Sequence, residues 1–144
     1  MRSYRTVSRL ELTAAAYVAG LVDGEGTVTL TRWHRDENRR LVVSISNNER
    51  AMLEFVRRTV GTGQITRKRT NNPRHAESYT YQICGRQALE LLRQVTPFLK
   101  SYKAIRAELA LRDYIRMTPR NGRYTEAMRL ARIKFETELL AIRA

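Results

Sequence analysis

The chain has 144 residues, 42% of them hydrophobic, and carries 27 Lys+Arg against 14 Asp+Glu for a formal charge of +13. This length suits one domain spanning 1–144 with its own core, and one cysteine (Cys84) with two histidines (His34, His75) excludes a disulfide framework and a closed Cys/His metal cluster. No run approaches the ~18 apolar residues of a membrane span and Met1–Leu12 is too polar for a signal peptide, so a soluble intracellular protein of unassigned compartment is expected.

The first predicted element is an Ala/Leu-rich helix over Glu11–Val22, stopped by Gly24 and Gly26. Thr27–Arg35 then alternates as a strand. Val28 and Leu30 face one way, and Thr27, Thr29, Thr31, Trp33 and Arg35 the other. After a turn at Asp36–Asn38, Arg40–Ser46 alternates again, with Leu41, Val43 and Ile45 opposite Arg40, Val42, Ser44 and Ser46. Asn48 is placed to cap a helix over Glu49–Val60, which Gly61 ends.

The pattern then repeats. Gly63–Thr70 is a strand, Asn71-Asn72-Pro73 a turn, and Ser78–Cys84 a strand with Tyr79, Tyr81 and Ile83 on one face. Arg86–Val95 is a helix broken by Pro97, and Lys100–Met117 a longer helix ended by the Pro119–Gly122 turn. Tyr124–Ile142 is a last helix with Met128, Ala131, Phe135, Leu139 and Ile142 at helical spacing. His34, His75 and Cys84 fit structural or surface positions.

The predicted fold is an α+β, αββαββα sandwich with a four-stranded antiparallel sheet and extra C-terminal helices. Its core covers about residues 10–115, with a helical extension over about 120–144. Apolar strand faces pack under the helices and leave the other sheet face open. That face carries Thr29, Thr31, Trp33, Arg35, Arg40, Ser44, Thr80 and Gln82. On the third strand, Ile65 inward sends Gln64, Thr66 and Lys68 outward, but Arg67 and Arg69 on the alternate face are also basic.

The basic charge is almost all arginine, 23 against 4 Lys, and is spread evenly along the chain. Residues 1–72 hold 13 basic and 7 acidic groups (+6), and residues 73–144 hold 14 and 7 (+7). Guanidinium groups match phosphates and base edges in a bidentate fork. A basic folded body with an open polar sheet therefore implies a polyanion partner, nucleic acid first. Arg120, Arg123, Arg129 and Arg132 in the last helical region are candidates for flanking phosphates.

The most specific segment is Tyr17-Val18-Ala19-Gly20-Leu21-Val22-Asp23-Gly24-Glu25-Gly26. Ala16, Gly20 and Gly24 fall at i, i+4 and i+8, giving one helix face no bulk, so that a second helix can approach closely. A twofold copy of this helix would bring two sets of Asp23 and Glu25 together. Clustered carboxylates in a basic protein call for a divalent cation, and an oxygen-rich site suits Mg²⁺. On spacing alone, a buried helix ending in a tight turn fits equally well.

This segment resembles the LAGLIDADG motif of homing endonucleases, with Val18 and Val22 as conservative changes, Gly24 in place of alanine and Glu25 in place of the second aspartate. The helix–hairpin order over about residues 10–115 is similar to that family's fold. The resemblance implies a homodimeric, intron-encoded DNA endonuclease, since one motif is present. Such an enzyme makes double-strand breaks in a long, pseudo-palindromic double-stranded DNA site, with no small-molecule substrate.

It implies Glu25 and the Gly24 carbonyl as ligands of Mg²⁺ or another divalent cation such as Mn²⁺. It places Ala16, Gly20, Leu21 and Asp23 at the dimer interface, with Asp23 bonding near the end of the partner helix. The Pro97-Phe98-Leu99-Lys100 run is similar to the segment carrying a family active-site lysine, here Lys103 or alternatively Lys100. Asn47 matches a solvent-positioning polar residue, or is a helix cap. The outward residues Thr29, Thr31, Trp33, Arg35, Arg40, Ser44, Gln64, Thr66, Lys68, Thr80 and Gln82 become DNA contacts. An RNA-binding intron maturase and a non-cleaving DNA-binding protein are the rival functions on the same scaffold.

Overall fold

The computed structural model describes residues 5–68, 72–74 and 76–144. Helix α1 (Leu12–Glu25) leads into strands β1 (Gly26–Thr31) and β2 (Arg40–Asn47), then helix α2 (Arg50–Val60). Strands β3 (Gln64–Lys68) and β4 (Ser78–Cys84) follow, then α3 (Gly85–Val95), a 3-10 turn at Thr96–Phe98, α4 (Tyr102–Asp113) and α5 (Glu126–Ala141). The four strands form one antiparallel sheet in the order β1-β2-β4-β3. This is the expected α+β sandwich, with its helices on the apolar face of the sheet. The predicted His75, Arg69 and Asn71 lie outside the described residues.

The core lies between sheet and helices. Val28, Leu30, Leu41, Val43, Ile45, Tyr81 and Ile83 pack beneath Val18, Val22, Leu53, Val56, Leu89 and Leu92. Period-2 alternation explains the strand contribution and helical spacing the rest. Two glycines are required by contact. A Cβ on Gly26 would lie 2.5 Å from the Ser44 carbonyl oxygen, and one on Gly63 (φ +104) would lie 2.5 Å from the Tyr81 ring. Tyr81 is buried because its hydroxyl donates to the Thr62 carbonyl at 2.7 Å, and burial pushes its ionisation far up.

Several boundaries differ from expectation. Helix α1 runs through Gly24 to Glu25, with Gly26, not Gly24, at its end. Strand β1 ends at Thr31, so Trp33 and Arg35 belong to the β1–β2 loop and no strand alternation orients them. Asn48 does not cap α2; the Asn47 Oδ1 instead accepts from the Glu49 N–H at 2.7 Å. Helix α4 stops at Asp113 and continues as turns to Met117. Val42, on the outward face, is only 4% exposed.

Arginines attach the last helix to the sandwich. The Arg106 guanidinium donates to the carbonyls of Val28 (3.0 Å), Leu140 (3.3 Å) and Ile142 (2.8 Å). It thereby ties α4, β1 and the end of α5 together. Arg132, expected to reach phosphates, is 1% exposed and bonded inside the protein, so that expectation is wrong. Among the described residues no helix is long and apolar enough to cross a membrane.

Candidate nucleic-acid interface and active-site edge

The two faces of α1 differ sharply. Ala15, Val18, Ala19 and Val22 are buried against the sheet and α3. Ala16, Gly20 and Gly24 are exposed, and apart from the surrounding helix backbone and chain neighbours no atom of the described residues lies within 4 Å of where a Cβ on Gly20 or Gly24 would sit. Leu12, 75% exposed, and the edge-to-face pair of Tyr17 and Phe55 (centroids 5.5 Å apart) flank this ridge. Leu21 is half-buried. The ridge is thus a strip of bare backbone between exposed apolar side chains.

At the foot of the ridge, the C-terminus of α1 meets the N-terminus of α4. Both Asp23 carboxylate oxygens are used within the chain. They accept from the Lys100 N–H (2.8 Å), the Ser101 N–H (3.1 Å) and the Ser101 hydroxyl (2.6 Å). Partial burial pulls this carboxyl up, but the Ser101 hydroxyl, the two N–H groups and the Lys103 charge outweigh it and hold Asp23 below the ordinary carboxylate range. Asp23 therefore holds Lys100 and the N-cap residue Ser101 at the entrance to α4 of its own chain, where the sequence suggested bonds near the end of a partner helix.

Lys103 returns the contact. Its ammonium donates to the Val22 carbonyl (2.9 Å) and the Asp23 carbonyl (2.8 Å), placing a cation on the negative end of α1. Two of its three N–H bonds are thereby committed. The Lys100 side chain is exposed. Glu25, one turn beyond those carbonyls, is exposed and makes no hydrogen bond or ion pair among the described residues; Gly24 beside it is exposed too. Asn47 ends β2 on the helix side, opposite Tyr79 and two residues past the Ile45 that pairs with Gly26. Among the described residues no three His, Cys, Asp or Glu side chains gather closely enough to hold a metal ion.

The outward sheet face is assembled by register. Thr27, Ser44, Gln82 and Gln64 form one cross-strand row, and Ser46, Thr80 and Thr66 the next. Thr29, Val42 and Cys84 form another, Thr31 opposes Arg40, and Lys68 opposes Ser78. Ile65 opposes Tyr81 on the core side, which settles the third-strand register in favour of Gln64, Thr66 and Lys68 outward. Hydroxyls pair laterally, Thr27 with Ser44 at 2.6 Å and Ser46 with Thr80 at 2.8 Å, leaving Gln64, Thr66, Lys68 and Arg40 exposed. The Arg40 guanidinium lies 4.7 Å from the centroid of the Trp33 ring, so the loop tryptophan and the strand arginine form one unit.

Sequence reasoning overlooked the inward arginines. Arg132 lies three residues before Phe135 and seven before Leu139, so helical spacing alone puts it in the buried stripe, with Glu136 at i+4 as its partner. Arg106, among the α4 residues, has no comparable signal.

The fold and the smooth helix ending in Asp-Gly-Glu-Gly define a known class of chain. Residues 13–96 match the LAGLIDADG-like domain family. The chain belongs to the LAGLIDADG family. Among curated proteins none matches it by sequence.

Solved structures share the fold. The homing endonuclease I-CvuI, solved in complex with its target in the presence of calcium, superposes with a TM-score of 0.74 at 17% identity, over 92% of this chain and 83% of that one. The archaeal intron-encoded homing endonuclease I-Vdi141I, solved with DNA, gives 0.60 at 16% identity over 92% and 85%. I-LtrWI, a LAGLIDADG homing endonuclease bound to target DNA, gives 0.66 at 15% identity over 100% of this chain and 49% of its own.

Proposed function

We propose that the protein is a site-specific homing endonuclease that acts as a homodimer on a long, pseudo-palindromic double-stranded DNA site, cleaving both strands by divalent-metal-dependent hydrolysis. One observation carries this reading: Glu25 is an exposed carboxylate, unpartnered among the described residues, at the foot of a ridge of one alanine and two glycines, in a chain of charge +13. An unpaired acid beside a phosphate-binding surface repels its ligand unless a cation lies between them. The solved relatives place DNA on this fold, and one was solved with a DNA target in the presence of magnesium, its DNA not cleaved.

The donor set fits such a cation when shared. One chain offers the Glu25 carboxylate and the Gly24 carbonyl; two chains joined along Ala16, Gly20 and Gly24 offer twice that, and Mg²⁺ retains several waters beside one or two carboxylates. Bound there, Mg²⁺ or Mn²⁺ would supply Lewis-acid stabilisation of phosphate charge and a more acidic water.

The chain's own residues do the rest. Asp23 and Lys103 lock the end of α1 to α4, so Glu25 is held on a rigid corner. The remaining Lys103 N–H, with Lys100 beside it, supplies positive charge toward the scissile phosphate. Asn47 orients solvent from the end of β2. Arg40, Trp33, Arg35, Lys68, Gln64, Thr66, Gln82, Thr80, Ser44, Thr29 and Thr31 form the DNA-reading surface, two ribbons suited to the major groove.

The test is Glu25→Gln against wild type on a site selected from randomised DNA. The wild type should cut both strands with Mg²⁺ and stop when EDTA removes it. Glu25→Gln should bind within about tenfold of wild type. Its cleavage should fall by more than about a hundredfold, since even outer-shell partners of a metal are worth about 10- to 100-fold. A Glu25→Gln protein that cuts at the wild-type rate removes Glu25 from the site. A wild type that binds DNA or RNA without cutting replaces the endonuclease with a binding protein.

A further inference from the structure

We propose that Arg132, with Glu136 one turn along α5, is a positioning residue that fixes the β1–β2 hairpin for reading DNA; this rests on the DNA-reading role given to the sheet. The Arg132 guanidinium is buried, lying 5.1 Å from the Tyr114 ring centroid and 5.6 Å from that of Phe135. It donates to the Glu136 carboxylate (3.3 Å), the Met117 carbonyl (3.1 Å), the Thr118 hydroxyl and the Arg39 carbonyl. Glu136 in turn accepts from the Arg39 N–H at 3.3 Å and pairs with its guanidinium at 3.6 Å.

Both backbone polar groups of Arg39 are therefore held from α5. Arg39 is the last loop residue before β2, and its neighbour Arg40 carries the contact with Trp33. The loop and the helix also face each other across a cleft. This cleft, of about 330 Å³ and open to solvent, is lined by Arg32, Arg35, Arg129 and Ile133 among others. Arg39 is thus a point at which α5 holds the backbone of the loop.

An apolar side chain could hold α5 against Tyr114 and Phe135 as well as a buried ion pair does. It could not hold the Arg39 carbonyl. That is the task only the guanidinium performs, and it explains why a costly buried charge is placed here. The β3–β4 hairpin lies at the other edge of the sheet from β1, on which α5 packs, and serves as an internal control.

The experiment compares base preferences of wild type and Arg132→Met across a selected site, with amide hydrogen exchange of residues 32–40 on the same proteins. Preference at base pairs read by the first hairpin should relax by about tenfold, with those read by the second hairpin unchanged. Exchange over 32–40 should quicken by about tenfold. Unchanged preferences, or equal loss at both hairpins as simple destabilisation would give, overturn the proposal. If Arg132→Met does not fold, Glu136→Gln is read in the same way. A wild type that selects no sequence removes the DNA-reading role together with the proposed function, and the exchange measurement still decides whether α5 holds the loop.

Discussion

The two faces of α1 are built from the same small residues and are used in opposite ways. On the inner face Ala15, Val18, Ala19 and Val22 are small because the sheet and α3 press against them, and all are at most 2% exposed. On the outer face Ala16, Gly20 and Gly24 are small and exposed, and beyond the helix itself a Cβ on either glycine would meet no described residue. Glycine inside a helix costs about 1 kcal/mol relative to alanine. The outer glycines therefore weaken the isolated chain, a cost that the proposed pairing of two α1 helices would offset.

The contrast can be broken at the inner face first. Ala19→Leu forces extra volume into a site with no exposure and should cost about 1–3 kcal/mol, read as a lowered denaturant midpoint. Next is the corner where α1 ends. Asp23→Ala removes three accepted hydrogen bonds just ahead of α4 and should cost about 1 kcal/mol at neutral pH.

Because the native Asp23 carboxyl is held below its unfolded value, its contribution is fully present above that unfolded value. It is lost as pH falls through the lowered native value. The stability gap between Asp23→Ala and wild type should close in acid, and a gap that persists there would assign it to packing. The smallest effect has the opposite sign. Gly20→Ala meets empty space and should stabilise the isolated fold by up to about 1 kcal/mol.

These contrasts also mark what could be read from the residues alone. Alternation in Val28/Leu30, Leu41/Val43/Ile45 and Tyr79/Tyr81/Ile83 was sufficient to assign the buried face of the sheet. It failed at Trp33 and Arg35, because alternation carries no information past the end of a strand, and β1 ends at Thr31. It also ranked Val42 with the open face, although that position is covered.

The site divides in the same manner. Glu25 and the side-chain-free ridge were visible because one helix carries them and spacing fixes their relation. The Asp23 and Lys103 contacts were not, since they join residues about 80 positions apart. Arg132 was misassigned to the surface because arginine is rarely buried without partners, and its partners Arg39, Met117 and Thr118 come from other segments.

The most direct test of the proposed paired α1 helices is sedimentation of wild type and Gly20→Leu at micromolar concentration, with cleavage measured on the same samples. Position 20 is exposed and a Cβ there meets no described residue beyond the helix itself, so the fold should persist, as circular dichroism would show. The account predicts a wild-type dimer that cuts both strands and a folded Gly20→Leu monomer that does not. A wild-type monomer that cuts both strands, or a Gly20→Leu protein that remains an active dimer, would contradict it.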